Sequence, residues 1–216
     1  MSSLSELFTA LIHMDVQTLS DPSISVLVCT ILVAFIVLEN GFIPTAFLPG
    51  DSLLFLTGTL IQLDVLPAGF AVVLVIAACV GSWLSYLQGR LFGHTRLFNR
   101  LVQSLDDKYR QRTFALIERH GALTLLIARY IAFVRTIYPS MIGITAYSQW
   151  RFFIINLISS VLWVVPIVTL GYFVSNTKWA MEYETVFFKV VISVPAVLLV
   201  SGLCLLVYKK FKPRTQ

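Results

Sequence analysis

Apolar residues in this chain come in long runs, and two of them predict helices that cross a membrane. Leu66–Gly89 and Phe152–Val174 are each long enough, at about 1.5 Å of rise per residue, to bridge a hydrocarbon core of about 30 Å. A third run, Val186–Tyr208, is read as a span as well. It carries Lys189 near one end, where a long stem reaches the head groups, and Pro195 inside.

Two other apolar segments are interrupted. The first begins at Ile24, stays apolar to Leu38, then meets Glu39, Asn40, Gly41, Pro44, Pro49, Gly50 and Asp51 before turning apolar again through Leu60. The second runs from Gly121 through Arg129 and Arg135 to Pro139 and Gly143. Proline removes a backbone donor and clashes with the preceding turn, while glycine permits the left-handed residue of a helix end. Each segment is therefore expected to bend rather than cross. Peptide groups freed by such breaks cannot face lipid, so protein or a wet cavity must surround them. The fold class that follows is all-α and integral to the membrane. A first helix with a re-entrant hairpin occupies 24–62, shaped by Pro44, Pro49 and Gly50, and a second hairpin occupies 121–147, shaped by Pro139 and Gly143.

Charge sets the topology. The first basic residue is Arg90, followed by Arg96, Arg100, Lys108, Arg110, Arg112 and Arg119, and a second group (Lys209, Lys210, Lys212, Arg214) crowds the end. Under the positive-inside rule both stretches are cytoplasmic. Residues 90–120 then form a basic insert, in which Phe92–His120 suits amphipathic helices lying on the membrane surface, and 209–216 form a tail. Span 66–89 must start outside to deliver Arg90 inside, so the first hairpin enters from the periplasm and the second from the cytoplasm. Two broken segments in oppositely inserted halves form an inverted repeat, and that arrangement points to a transporter's binding site. Residues 1–22 are read as an interfacial segment, with no cleavable signal peptide.

Composition agrees with a membrane solvent. Of 216 residues 57% are apolar and 12% charged, against about 25% charged in soluble domains. One membrane domain over 1–216 is the simplest count. The net charge of +5 is a topology signal, and it lacks the basic, aromatic-laced soluble face that nucleic acid requires. Anionic lipid head groups are the partner the basic insert fits.

The chemistry concentrates in Glu39, Asp51, Arg129 and Arg135. A charge at mid-bilayer costs about 2.5 to 3.5 kcal/mol on insertion scales, so two acids and two arginines are expected to pair. Arginine stays protonated and its planar fork suits phosphate oxygens. Burial favours a neutral acid while a neighbouring arginine favours the ionised one, which poises Glu39 and Asp51 to take and release protons. Two readings stay open: a proton-coupled anion site, or staples that lock the hairpins together.

Other features carry less. Ala77, Gly81, Ser85 and Gly89 recur every four positions and predict a close helix contact, with Gly81 and Gly89 its packing points. Trp83, Tyr86, Trp150, Trp163, Tyr172 and Trp179 are read as interface belt and packing. Cys29, Cys79 and Cys204 lie in apolar runs without ligand spacing, and His13, His94 and His120 are scattered. Neither metal nor cofactor is expected. No Walker loop, nucleotide fingerprint, zincin motif or nucleophile elbow occurs, so the chain is not read as an enzyme. A lipid phosphatase is suggested only by Pro139 and Ser140, where Met141 takes the place of that motif's glycine.

Three ordered blocks resemble the DedA family of bacterial membrane proteins, also called SNARE-associated or VTT-domain proteins. They are Glu39 with Pro44, Pro49, Gly50 and Asp51; Gly81, Tyr86, Gly89, Arg90 and Gly93; and Arg129, Phe133, Arg135, Pro139 and Gly143. The resemblance covers roughly residues 24 to 176. It implies opposed re-entrant hairpins, location in the bacterial inner membrane, and a role in undecaprenyl phosphate recycling and envelope homeostasis. It also implies that the residues matching Glu39, Asp51, Arg129 and Arg135 are essential. The chain departs from the pattern at Ala128 and Ala132, where many members carry glycine and proline. The expected function is a proton-coupled flippase for polyprenyl phosphate, with Arg129 and Arg135 on the head group and Glu39 and Asp51 carrying protons. Its rivals are a proton-coupled antiporter for cations or osmolytes, and a structural or chaperone-like membrane protein. Oligomeric state stays open, a homo-oligomer included.

Overall fold

The computed structural model describes residues 22–45, 48–93, 95, 124–131, 134–144 and 147–177, with single positions 193, 197 and 200. The expected interfacial segment 1–22 (all but Pro22), the insert between 96 and 120, the span 186–208 as a whole and the tail 209–216 lie outside the described residues.

Every regular element among the described residues is helical. In chain order they are α1 (Pro22–Gly41), a 3-10 turn (Ile43–Thr45), α2 (Gly50–Gln62), α3 (Phe70–Phe92), α4 (Leu125–Ala128), α5 (Val134–Ile144) and α6 (Gln149–Ser175). Three helices are long and apolar enough to cross a membrane: α1 from Ser23, α3 and α6. Their outward faces carry the large apolar side chains, among them Val72, Val73, Ile76 and Val80 on α3 and Leu157, Ile158, Val161 and Leu162 on α6. The inward faces of α3 and α6 add small and polar residues to their apolar ones: Ser82 and Ser85 on α3, Asn156, Ser159 and Ser160 on α6. A water-soluble bundle would show the reverse distribution, whereas lipid, being as apolar as leucine, rewards close backbone packing and interhelical hydrogen bonds inside.

Three boundaries differ from the expectations. The segment from Ile24 breaks between Gly41 and Gly50, but its first part is a continuous 20-residue helix long enough by itself to cross a membrane. Residues Leu66 to Gly69 precede α3 rather than begin it, leaving Pro67 outside the helix. Pro139 and Gly143, expected to break the second segment, both lie inside α5. The chain turns earlier, at Arg129–Ile131, where Tyr130 and Ile131 amides bond back to Ile127 and Ala128 carbonyls at 3.1 Å each. A proline within a helix loses the bond to the residue four before it, here Arg135, and crowds that carbonyl, yet α5 continues through it, packed against α3 at Gly143 and Gly89. Pro44 sits in the 3-10 turn, and Pro49 and Gly50 stand at the start of α2.

The chain divides into two compact units. The first comprises the described parts of 1–31, 47–68 and 167–216; the second, those of 32–46 and 69–166. Within the first, α2 ends in a left-handed Asp64 (φ 57°), which lets the amides of Val65 and Leu66 return to the Leu60 carbonyl at 3.0 and 3.2 Å. Here α2 crosses the end of α6 so closely that a Cβ on Gly58 would overlap the Val168 carbonyl and stand 2.8 Å from the Tyr172 nitrogen. One on Gly171 would overlap the Phe55 carbonyl.

The second unit contains a crossing of the same form between α5 and α3. A Cβ on Gly143 would overlap the Tyr86 carbonyl and stand 2.9 Å from the Arg90 nitrogen, and one on Gly89 would overlap the Ser140 carbonyl. In both crossings the short-helix glycine faces the carbonyl three residues before the long-helix glycine and the amide one residue after it. The long-helix glycine in turn faces the carbonyl three residues before its partner. Packed against this crossing is an apolar cluster of Tyr86, Leu125, Ala128, Val134, Tyr138, Ile142 and Phe152, with the Tyr86 and Phe152 rings stacked at 4.4 Å.

Candidate functional site

The second unit buries an unusual density of polar groups for so apolar a chain: Glu39, Asn40, Ser82, Ser85, Arg129, Arg135, Thr136, Ser140, Asn156, Ser159 and Ser160 are all inside. Their positions follow from helical spacing. Buried residues on α6 recur as Phe152, Asn156, Ser159, Ser160, Trp163 and Val164, a stripe of period near 3.6 that turns one face inward. At α1's end Glu39 and Asn40 continue the buried row of Ile24, Val28, Leu32 and Ile36.

Two arginines form the centre. Arg135, near the start of α5, makes an ion pair with Glu39, and the neighbouring Thr136 hydroxyl donates to the Glu39 carbonyl at 2.9 Å. Arg129, in the turn after α4, is 1% exposed. Its Nη2 donates to Asn156 Oδ1 at 2.7 Å and to Ser82 Oγ at 2.8 Å, with the Ala78 carbonyl farther off at 3.5 Å. Its Nε and Nη1 are buried and make no hydrogen bond. Both guanidiniums lie over one indole, Trp163, at 5.6 Å for Arg129 and 4.8 Å for Arg135. A ring face attracts a desolvated cation, which holds two like charges near one another at the base of the site.

The small-residue stripe on α3 lines this centre. Gly81 lets α1 approach, since a Cβ there would meet the Val37 carbonyl at 2.8 Å and Asn40 Cβ at 2.9 Å. Gln88 donates to the Gly41 carbonyl at 3.0 Å. Ser85 donates to the Thr136 carbonyl at 2.8 Å and shares a hydrogen bond with Ser140 at 2.7 Å. At the far end of α3, Tyr86 donates its hydroxyl to the Tyr147 carbonyl and accepts from Arg90 at 3.0 Å.

Of the four charges singled out in the sequence, Glu39, Arg129 and Arg135 therefore come together in this unit. Asp51 belongs to the other unit, exposed in the first turn of α2. Sequence reasoning missed Asn156 and Ser82, which grip Arg129, and in reading Trp163 as interface belt or packing it missed the two guanidiniums over that ring. Asn156 had a signal: it is the single Asn in α6 and stands two turns inside a long apolar run. Trp163 had none, because an indole on a spanning helix reads the same whether it faces head groups or a buried cation.

Tyr130 adds one further link. Pro166 within α6 leaves the Leu162 carbonyl without its usual amide donor, and the Tyr130 hydroxyl supplies one at 2.6 Å.

Comparison with known proteins places these residues in context. The VTT domain model matches residues 48–173. The chain is 40% identical over 204 residues to the inner membrane protein YqjA of Escherichia coli K12, covering 94% of this chain and 93% of that protein. It is 39% identical over 204 residues to the inner membrane protein YghB of Salmonella typhimurium LT2, with the same coverage. To the protein DedA of Escherichia coli K12 it is 35% identical over 167 residues, 76% of each chain. No solved structure matches it significantly.

Proposed function

Because the chain belongs to the DedA family of VTT-domain membrane proteins, we propose that its buried arginines bind the phosphate of a polyprenyl lipid and return it across the membrane with a proton. The observation that carries the reading is Arg129: a guanidinium sealed from solvent with two nitrogens that no protein group satisfies. Burying unpaired donors on a cation is costly, so a site that does so is built for an anion that arrives later. Phosphate oxygens match those donors in charge and geometry. The apolar outer faces of α3 and α6 suit the polyprenyl tail.

Proton coupling follows from the pair beside it. Phosphate drawing on Arg135 competes with Glu39, and a carboxylate losing its partner in a dry site takes up a proton. Moving one negative charge inward against an inside-negative potential costs about 2.3 kcal/mol per 100 mV, which a co-transported proton cancels. Asp51 is assigned as a second proton carrier at the start of α2. The two glycine crossings of matching register support an internal repeat, whose halves we assign opposite insertion with re-entrant hairpins at the turns before α2 and α5. The relatives named as inner membrane proteins favour that location in a bacterium, and the positive-inside rule applied to the run from Arg90 to Arg119 favours a cytoplasmic side for the basic insert.

The test is leaflet distribution of undecaprenyl phosphate in vesicles containing the purified protein. Acceleration that disappears with Arg129→Ala and Arg135→Ala, and loses its response to a pH gradient with Glu39→Gln, is expected. Redistribution unchanged by both arginine substitutions would sink the reading. A second reading has its own support: the closed Glu39–Arg135 pair is what a structural staple looks like. Full transport by the Glu39→Gln, Arg135→Gln double variant would assign that pair to stability alone.

A further inference from the structure

We infer that Asn156 sets the charge selectivity of the site, by holding Arg129 through a neutral acceptor where a carboxylate would have cancelled its charge. The inference rests on the lipid phosphate reading and deepens it. Asn156 is fully buried two turns into α6, and both ends of its amide are used. Oδ1 accepts from Arg129 Nη2 at 2.7 Å, and Nδ2 donates to the Cys79 carbonyl on α3 at 2.8 Å. That second bond fixes which end of the amide faces the guanidinium, since the carbonyl can only accept.

Buried arginines are ordinarily matched by an acid, and the same unit shows it: Arg135 has Glu39. Arg129 is treated differently. Its hydrogen-bonding partners are an amide, a hydroxyl and a distant carbonyl, all uncharged, and Trp163 covers its face. This environment orients the guanidinium without neutralising it. Nη2 is held at the junction of α3 and α6, while Nε and Nη1 are left without partners. Asn156 is thus a positioning residue that acts through Arg129, and the ligand class it selects is a phosphate monoester anion over a neutral polyprenol.

Asn156→Asp keeps the shape and adds the missing counter-charge. The charged or titratable groups facing position 156 among the described residues are Arg129 and Cys79, with Arg135 and Glu39 across Trp163. Purified full-length protein in detergent is titrated with undecaprenyl phosphate, undecaprenol and inorganic phosphate, and ligand-induced thermal stabilisation is read at pH 8 and pH 5. The parent protein is expected to respond to the phosphorylated lipid and not to the alcohol. Response to inorganic phosphate as well would show that the head group alone is recognised. Asn156→Asp is expected to weaken the phosphorylated lipid at least tenfold at both pH values, because the ion pair with Arg129 keeps the new carboxyl charged, and to melt no lower than the parent without ligand. Ser82→Asp, which brings a carboxylate to the same nitrogen from α3, repeats the test if the first variant does not fold.

Undiminished binding by a folded carboxylate variant at pH 8 overturns the inference and leaves the flippase reading standing. A loss accompanied by an unliganded melting temperature below the parent's in both carboxylate variants also overturns it, because that is a packing defect. No response of the parent to the phosphorylated lipid overturns both.

Discussion

The two glycine crossings share a register but not their surroundings. In one, α2 meets the end of α6 through Gly58 and Gly171, amid apolar side chains such as Leu54, Leu60 and Val168. In the other, α5 meets α3 through Gly143 and Gly89, beside Arg129, Arg135, Glu39 and a ladder of serines. The same backbone joint thus serves once where only packing is needed and once where charge is buried. The comparison teaches that glycine spacing specifies how closely helices approach, while the residues flanking it specify whether the approach has a chemical use.

Breaking the ion pair should separate the crossings most. Arg135→Ala leaves Glu39 buried without its cation and is expected to cost about 3 to 5 kcal/mol, read as a lowered melting temperature in detergent. Replacing both partners by Gln should restore most of it. Next come the joints themselves: Gly143→Ala and Gly58→Ala each force a Cβ onto a backbone carbonyl, at about 1 to 3 kcal/mol. Their functional signatures should differ. The folded fraction of the Gly58 variant should keep its affinity for lipid phosphate, and that of the Gly143 variant should lose it. Equal loss in both would mean the joints are not chemically distinct.

A smaller effect on stability, with a large one on function, is expected for Arg129→Leu. Removing a cation with unsatisfied donors should leave the melting temperature within about 1 kcal/mol of the parent or raise it, while abolishing phosphate binding. A strong destabilisation would make Arg129 a structural group. Smallest is Ser85→Ala, which removes the hydroxyl joining α3 to the Thr136 carbonyl and should cost about 1 kcal/mol without changing affinity.

The spanning helices α3 and α6 and the buried Glu39, Arg129 and Arg135 were legible in the sequence because hydropathy and the cost of intramembrane charge are both local, additive signals, whereas the exposure of Asp51 in the first turn of α2 was not. Breaks were less so. Pro44, Pro49 and Gly50 do fall between helices, whereas Pro139 lies within α5, since packing against α3 through Gly143 and Gly89 outweighs one lost hydrogen bond. The division of labour between the arginines could not be read at all. Nothing in the spacing of Arg129 and Arg135 tells that one has an acid and the other an amide; that depends on which residues of α1 and α6 the folded chain brings to each.

Tyr130 gives the spanning helix α6 a rung that its own backbone lacks. The residue supplying it is the immediate neighbour of Arg129, so bending of α6 at Pro166 strains a bond anchored one residue from the guanidinium. Were a lipid phosphate held at Arg129 as proposed, bilayer thickness or lateral tension acting on that helix would reach the bound head group through this one hydroxyl.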